Sequence, residues 1–361
     1  TGAVNTYSRC RPEDLKSFFE YSKPKQAFDQ GFPMPLFALL LALFCVSYGY
    51  AEDTTLPTRR EYLFDHQALL NVGYPILNAA ADLTPRWRYG YGFELHDQPY
   101  YNTRASEDKL AGKTRDAWLM PWPTISLMGS FSHAATTGLQ VNDRILSING
   151  ENVEKESAEQ LMERLDRMGR LHHRSIHVAV SRHANVIVQT IRGVRLADLD
   201  LRILNTSAVD AYAEDGKLVI TTGMLRYAQQ EEDLAVVLAY ITAQGVYQIA
   251  AENETRFEEL GLADPKHQQT LVDELSIYLL AKNKLAYDRL PEFWNTLAAK
   301  QSVVDVGDFL INNPVTRERI HRIKTHITAM DAQLRKDSPM LPPVIAEALG
   351  KKKQRFKRRA A

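Results

Sequence analysis

At 361 residues the chain is long enough for two folded domains plus termini, and its 45% hydrophobic and 24% charged content is that of a globular protein. Lys and Arg number 44 against 44 Asp and Glu, a formal net charge of zero that excludes a chain-wide nucleic-acid binder. The balance is uneven locally: residues 351–359, from Lys351 to Arg359, hold seven basic side chains in nine.

Residues 1–33 carry Arg9, Arg11, Lys16, Lys23 and Lys25 with little apolar periodicity and read as disordered or untranslated. Residues 34–51 read as a signal peptide. Their apolar run, 36–46, is too short to span a bilayer comfortably but suits an h-region, and Gly49 and Ala51 supply small residues at −3 and −1. Cleavage is expected before Glu52; the alternative is a membrane anchor formed by residues 36–50. Phe44 stands where a lipoprotein leader wants a small residue before Cys45. Cleavage removes both cysteines, Cys10 and Cys45, which fits an oxidising compartment.

Residues 52–86 read as an N-terminal helical segment, with Leu63, Leu69, Leu70, Val72, Ile76 and Leu77 ahead of Pro85. From Arg88 to Leu95 the pattern alternates as a strand does, through Tyr89, Tyr91 and Phe93. A polar loop follows. After it come Ala134-Ala135 and Gly138-Leu139 (a short helix and its turn), Asn142-Asp143, a strand over 144–148, and the hairpin pair Asn149-Gly150. A helix over 157–168 with Leu161 and Leu165 inward and strands at 176–180 and 186–188 close the series. This succession, over residues 87–193, resembles a PDZ domain of the bacterial protease type. The resemblance implies a groove in which an extended peptide adds as a strand beside the second helix. The expected peptide-binding strand is Thr124, Ile125, Ser126 and Leu127, with its capping loop at 121–124. Pro121 and Pro123 remove two amides from that loop.

Residues 194–343 read as a second domain, with strands at 199–203 and 217–220 and helices at 231–250, 270–283, 290–299 and 313–330. Residues 209–227 contain Thr221-Thr222-Gly223-Met224, and the helix after them has apolar residues at three- and four-residue steps (Leu234, Val237, Leu238, Ile241). Farther on stand Asp273-Glu-Leu-Ser-Ile-Tyr-Leu-Leu-Ala281 and Asn313-Pro-Val-Thr-Arg-Glu-Arg-Ile320. Together these resemble the M48 family of zinc metallopeptidases. The resemblance implies an α+β fold: a PDZ-like β domain followed by a mostly helical M48-like domain with a small edge sheet.

It also implies a zinc site at positions that here hold other residues. The His-Glu-x-x-His positions read Tyr240-Ile241-Thr242-Ala243-Gln244, the third ligand position reads Gln269, and the family's His-Pro reads Asn313-Pro314. Asp273 alone matches, as the residue that orients a ligand. A phenol and two neutral amides hold zinc poorly, and Ile241 has no atom to serve as a base. The expectation is therefore no metal and no catalytic residue. Asp273 is expected to bond Tyr240 or Gln244 across the old site.

The function this implies is a catalytically inactive M48 homologue with a PDZ domain. Exported to the bacterial periplasm, it would bind extended polypeptide or act as an adaptor in envelope protein quality control. The second domain's binding strand is expected at Lys217, Leu218, Val219, Ile220, Thr221 and Thr222. Two alternatives stay open: an active zinc endopeptidase with atypical ligands, and a PDZ scaffold module. The basic tail, residues 344–361, is read as a solvated end or a contact for an anionic membrane surface.

Overall fold

The computed structural model describes residues 59–97, 120–252, 265–300 and 307–335, all within one compact unit over Asp53–Ala361. The leader at 34–51, the segment 1–33 and the tail at 344–361 lie outside the described residues. Helices and sheets are both extensive, so the α+β class holds.

Helix α1 (Arg59–Ala80) opens the described chain. It is followed by β1 (Trp87–Gly90) and β2 (Phe93–His96). The alternation over 88–95 predicts one strand. The chain instead turns at Gly92, whose φ of +77° is natural to glycine, and an added Cβ there would sit 2.1 Å from the Ser132 Cβ. Then come β3 (Thr124–Met128), α2 (His133–Thr136), β4 (Arg144–Ile148) and β5 (Glu151–Asn152). Helix α3 (Ala158–Arg170) is followed by β6 (Ser175–Arg182) and β7 (Asn185–Arg192). The strands form a sheet in the order β2-β3-β4-β6-β7, with β5 pairing β4. Asn149 and Gly150, both at positive φ, make the tight β4–β5 turn, as that dipeptide predicts.

Helix α3 begins on a full capping box, Ser157 with Gln160. It buries Leu161 and Leu165 against Phe93, Leu95, Ile125 and Ile176 in a core of their own. At its far end Gly169 lets the helix meet the backbone of β1: a Cβ there would lie 2.0 Å from the Tyr89 carbonyl oxygen.

The second half contains β8 (Val194–Ala197), β9 (Asp200–Leu204), β10 (Ala211–Glu214), β11 (Lys217–Thr221) and α4 (Thr222–Tyr227). After these come α5 (Glu231–Ala251), α6 (Pro265–Lys282), α7 (Leu290–Ala299), α8 (Gly307–Asn312) and α9 (Arg317–Leu334). The helix expected over 313–330 is α9, which starts later, at Arg317, because the chain breaks at Asn313-Pro314 and restarts on Thr316, whose hydroxyl caps the Arg319 amide; α8 is a separate short helix before that break. Among the described residues α5 is the one helix long and apolar enough to cross a membrane, but 78% of that apolar window is buried in the fold. Being apolar on nearly every side, it forms the axis of the second core.

Two observations shift the expected domain borders. Helix α1 is not a separate segment: Leu69, Val72, Ile76 and Leu77 are built into the second core. Strand β1 does not join the first sheet but pairs antiparallel with β8, Trp87 opposite Ala197. Charges fasten the same junction. Arg88 reaches Asp166, Asp198 and Asp200, and Arg170 of α3 reaches the same three carboxylates.

Candidate functional site

Strand addition needs an edge with unpaired peptide groups, and the structure decides which strands have one. Thr124 to Leu127 do not. They form β3, which β2 pairs along its length on one side and which β4 and the turn before it bond at Thr124 and Ile125 on the other, so the expected first binding strand lies inside the sheet. Lys217 to Thr221 form β11, enclosed by β10 antiparallel and β9 parallel, while Thr222 begins α4. The second expected strand is interior too. In both cases the resemblance implied a peptide-binding edge, and the strand pairing places another strand there instead.

The edge beside α3 belongs to β2. The loop that enters it is residues 90–93, not 121–124, and this loop is already engaged. Gly90 is in the β1–β8 ladder, and the Gly92 amide donates to the Tyr74 hydroxyl of α1 at 3.1 Å. The Tyr91 hydroxyl donates to the His173 carbonyl at 2.8 Å. At the other end of the groove Asp97 accepts from the Ala158 amide at 2.7 Å, capping α3. On the strand's outer face Glu94 meets His66 of α1 at 3.3 Å, and the pairing holds its carboxyl below the ordinary range despite burial, which pushes the other way.

In the second core four of the positions that resemble a metal site converge. Tyr240 is 1% exposed and its hydroxyl donates to Asn313 Oδ1 at 2.6 Å; Gln244 Nε2 reaches the same oxygen at 3.4 Å. Asn313 in turn donates to the Phe309 carbonyl at 2.8 Å. Asp273 does not bond Tyr240 or Gln244 as expected. It takes a two-pronged bond from Arg319, at 3.0 Å from Nε and 2.8 Å from Nη2. Arg319 is fully buried, donates also to the carbonyls of Asn313 and Pro314, and lies 4.1 Å over the Trp294 ring and 5.4 Å over that of Tyr240. Gln269 stays half-buried one helical turn before Asp273, and Ile241 is fully buried.

Sequence reasoning missed Arg319. A signal was available: Arg319, Ile323 and Met330 are the buried residues of α9, so an arginine occupies its apolar stripe.

These residues do not fit zinc. Burial pushes the Tyr240 phenol up, so it stays protonated and donates rather than ligates. A guanidinium already neutralises the Asp273 carboxylate. Gln244 Oε1 is buried with no hydrogen-bond partner among the described residues, but a neutral amide oxygen beside a fixed cation attracts a second cation weakly.

Next to this cluster lies a titratable pair. Glu274 faces His326 at 3.1 Å, and burial, helped by Asp273, pushes its carboxyl up to about 7. A raised carboxyl contributes stability fully below its ordinary value near 4.5 and loses it as pH climbs through about 7. His326, which burial lowers, acts in the opposite sense. Glu274→Gln should therefore stabilise the protein relative to the parent at pH 8 and bring little change at pH 4.5. Melting temperatures at the two pH values check this; an equal difference at both would contradict it.

Residues 121–180 match the family model described as PDZ domain. The sheet extends beyond that span on both sides, to β2 and to β7. No curated protein matches the chain. The chain is thus an α+β protein containing a PDZ domain, a module that binds peptides or proteins.

Proposed function

We propose that this chain is a catalytically inactive relative of the M48 metallopeptidases whose PDZ domain engages extended polypeptide, as an adaptor in quality control of exported proteins in the periplasm. The observation that carries the first part is the convergence of Tyr240, Asp273 and Asn313, dispersed in sequence, around the buried Arg319. Positions that the resemblance assigns to one site, dispersed in sequence, do meet at one point, which supports the resemblance; the residues that occupy them, and the guanidinium among them, support inactivity. For the polypeptide, the edge of β2 beside α3 replaces the interior strands β3 and β11.

Because the Gly92 amide is spent on Tyr74 and Gly90 on the β8 ladder, the loop has few groups left for a terminal carboxylate. A bound peptide should therefore be recognised along its length rather than by its end. Extended peptides with a free and an amidated C-terminus should bind the full chain with the same affinity, within about a factor of two, whereas a carboxylate cap adds charge-assisted bonds that favour the acid form. Fluorescence anisotropy with the two forms measures it, and a tenfold preference for the acid would contradict this reading of the loop.

A second reading, a PDZ module that only positions its neighbours, is favoured by the close approach of Gly169 to Tyr89, which leaves no gap at that end of the groove. Hydrogen exchange separates the two. Protection of the Phe93–His96 amides on adding extended peptide supports binding, and its absence across a diverse peptide set supports the scaffold.

A further inference from the structure

Strand β7 ends the first sheet on the side away from β2, and among the described residues no further strand pairs with it; its last residue, Arg192, meets helix α2. It pairs with β6 over its whole length, Asn185 opposite Arg182 through Arg192 opposite Ser175, without a bulge. The His183-Ala184 turn has both residues at positive φ, so Arg182 and Asn185 form the closing bonded pair. Odd-numbered residues of β7 then bond β6, and the peptide groups of Val186, Val188 and Thr190 point away from the sheet. The Arg192 amide agrees with this phase, since it donates outward to His133 Nδ1 at 3.3 Å.

Among the described residues, the middle of this strand lacks the usual guards of an edge. Residues 185–191 contain no charge and no proline, and Val186 and Val188 are each 65% exposed. The other edges differ. Strand β2 borders the groove beside α3 that is proposed above for peptide, Ala213 of β10 gives its carbonyl to Gln248 at 2.7 Å, and β9 carries Asp200 and Arg202.

We propose that β7 is a self-association edge, which pairs antiparallel with β7 of a second copy of this chain about a two-fold axis through Val188. In that register Val188 faces Val188 of the second copy, and Val186 faces Thr190. All three positions have their peptide groups outward, so each facing pair exchanges both N–H···O=C bonds. Arg192 falls opposite Ala184, and no charge meets a like charge. An uncharged edge has nothing with which to select an acidic or basic peptide, whereas its own copy meets every unpaired group in phase. One strand pair covers less than the roughly 1,200 Å² of a standard interface, so the dimer is weak, with a dissociation constant on the order of 10 µM to 1 mM.

Sedimentation equilibrium of the full chain between about 5 µM and 1 mM tests this. The average mass should rise from 41.0 kDa toward twice that value. Val188→Lys, which sets like charges face to face, should weaken association at least about tenfold while the circular dichroism stays that of the parent. In a Cys10→Ser, Cys45→Ser background a short thiol cross-linker should join Val188→Cys chains and leave Val186→Cys chains single, because residue 186 lies several strand positions from its own counterpart. This pair of variants decides the matter even if the lysine variant misfolds. A parent that stays monomeric at 1 mM overturns the proposal. So does Val186→Cys cross-linking as well as Val188→Cys, or undiminished dimerisation of a folded Val188→Lys.

Discussion

Arg319→Ala should destabilise the second core by about 3–5 kcal/mol, because it leaves the Asp273 carboxylate buried without its partner. At that size of domain the melting temperature should fall by roughly 6–20 °C. The loss has several components. Arg319 holds Asp273 of α6, the Asn313 and Pro314 carbonyls that close α8, and the Trp294 ring of α7 at once. Arg319→Lys should rescue little, since an ammonium has neither the two-pronged geometry nor the flat face that stacks on Trp294. Asp273→Ala should cost a similar amount, and the double variant much less than the sum, because removing both partners leaves no uncompensated charge. Thermal denaturation of the three variants measures the coupling. Additive losses would mean that the pair is incidental to the fold.

The second large effect is expected from Tyr240→His with Gln244→His, the change that restores the two imidazole positions of the resembled motif. Tyr240 is packed edge-on against Trp294 at 4.9 Å and Phe309 at 6.2 Å and holds Asn313 by its 2.6 Å bond. A histidine is smaller, fills less of that space and carries polar atoms that need new partners. The double variant should lose about 2–4 kcal/mol. Zinc should not return it, since the Arg319 guanidinium stays beside the site and repels a divalent cation. Melting with and without zinc is the check. A rise of several degrees on adding zinc would show that Arg319 yields its place and that the backbone keeps a metal-binding geometry.

How much of this was legible in the sequence depended on the range of the interaction. Helices α5 and α7 end within a residue of where their apolar periodicity places them, and the Asn149-Gly150 hairpin is a two-residue signal. Strands β4, β9 and β11 were legible as strands for the same local reason. Their neighbours were not, because β1 pairs with a strand more than a hundred residues away and β9 enters beside β11 in parallel. Both expected peptide-binding strands failed on this point. The candidate site was legible by position, at Tyr240, Gln244, Asp273 and Asn313, but not by bonding. A carboxylate's partner is unknowable from spacing when it lies 46 residues on, as Arg319 does from Asp273. Tyr74, which takes the Gly92 amide, was hidden likewise: nothing near α1 in sequence marks the loop it touches.

The claim that the site is closed by the protein's own guanidinium is tested most directly by calorimetric titration of zinc into the chelator-treated full chain. No saturable heat at one zinc per chain and no shift in melting temperature at saturating zinc are expected, since a metal that does not bind the native state adds nothing to its stability. Stoichiometric binding that Arg319→Ala leaves unchanged but substitution of Tyr240 and Gln244 abolishes would contradict it.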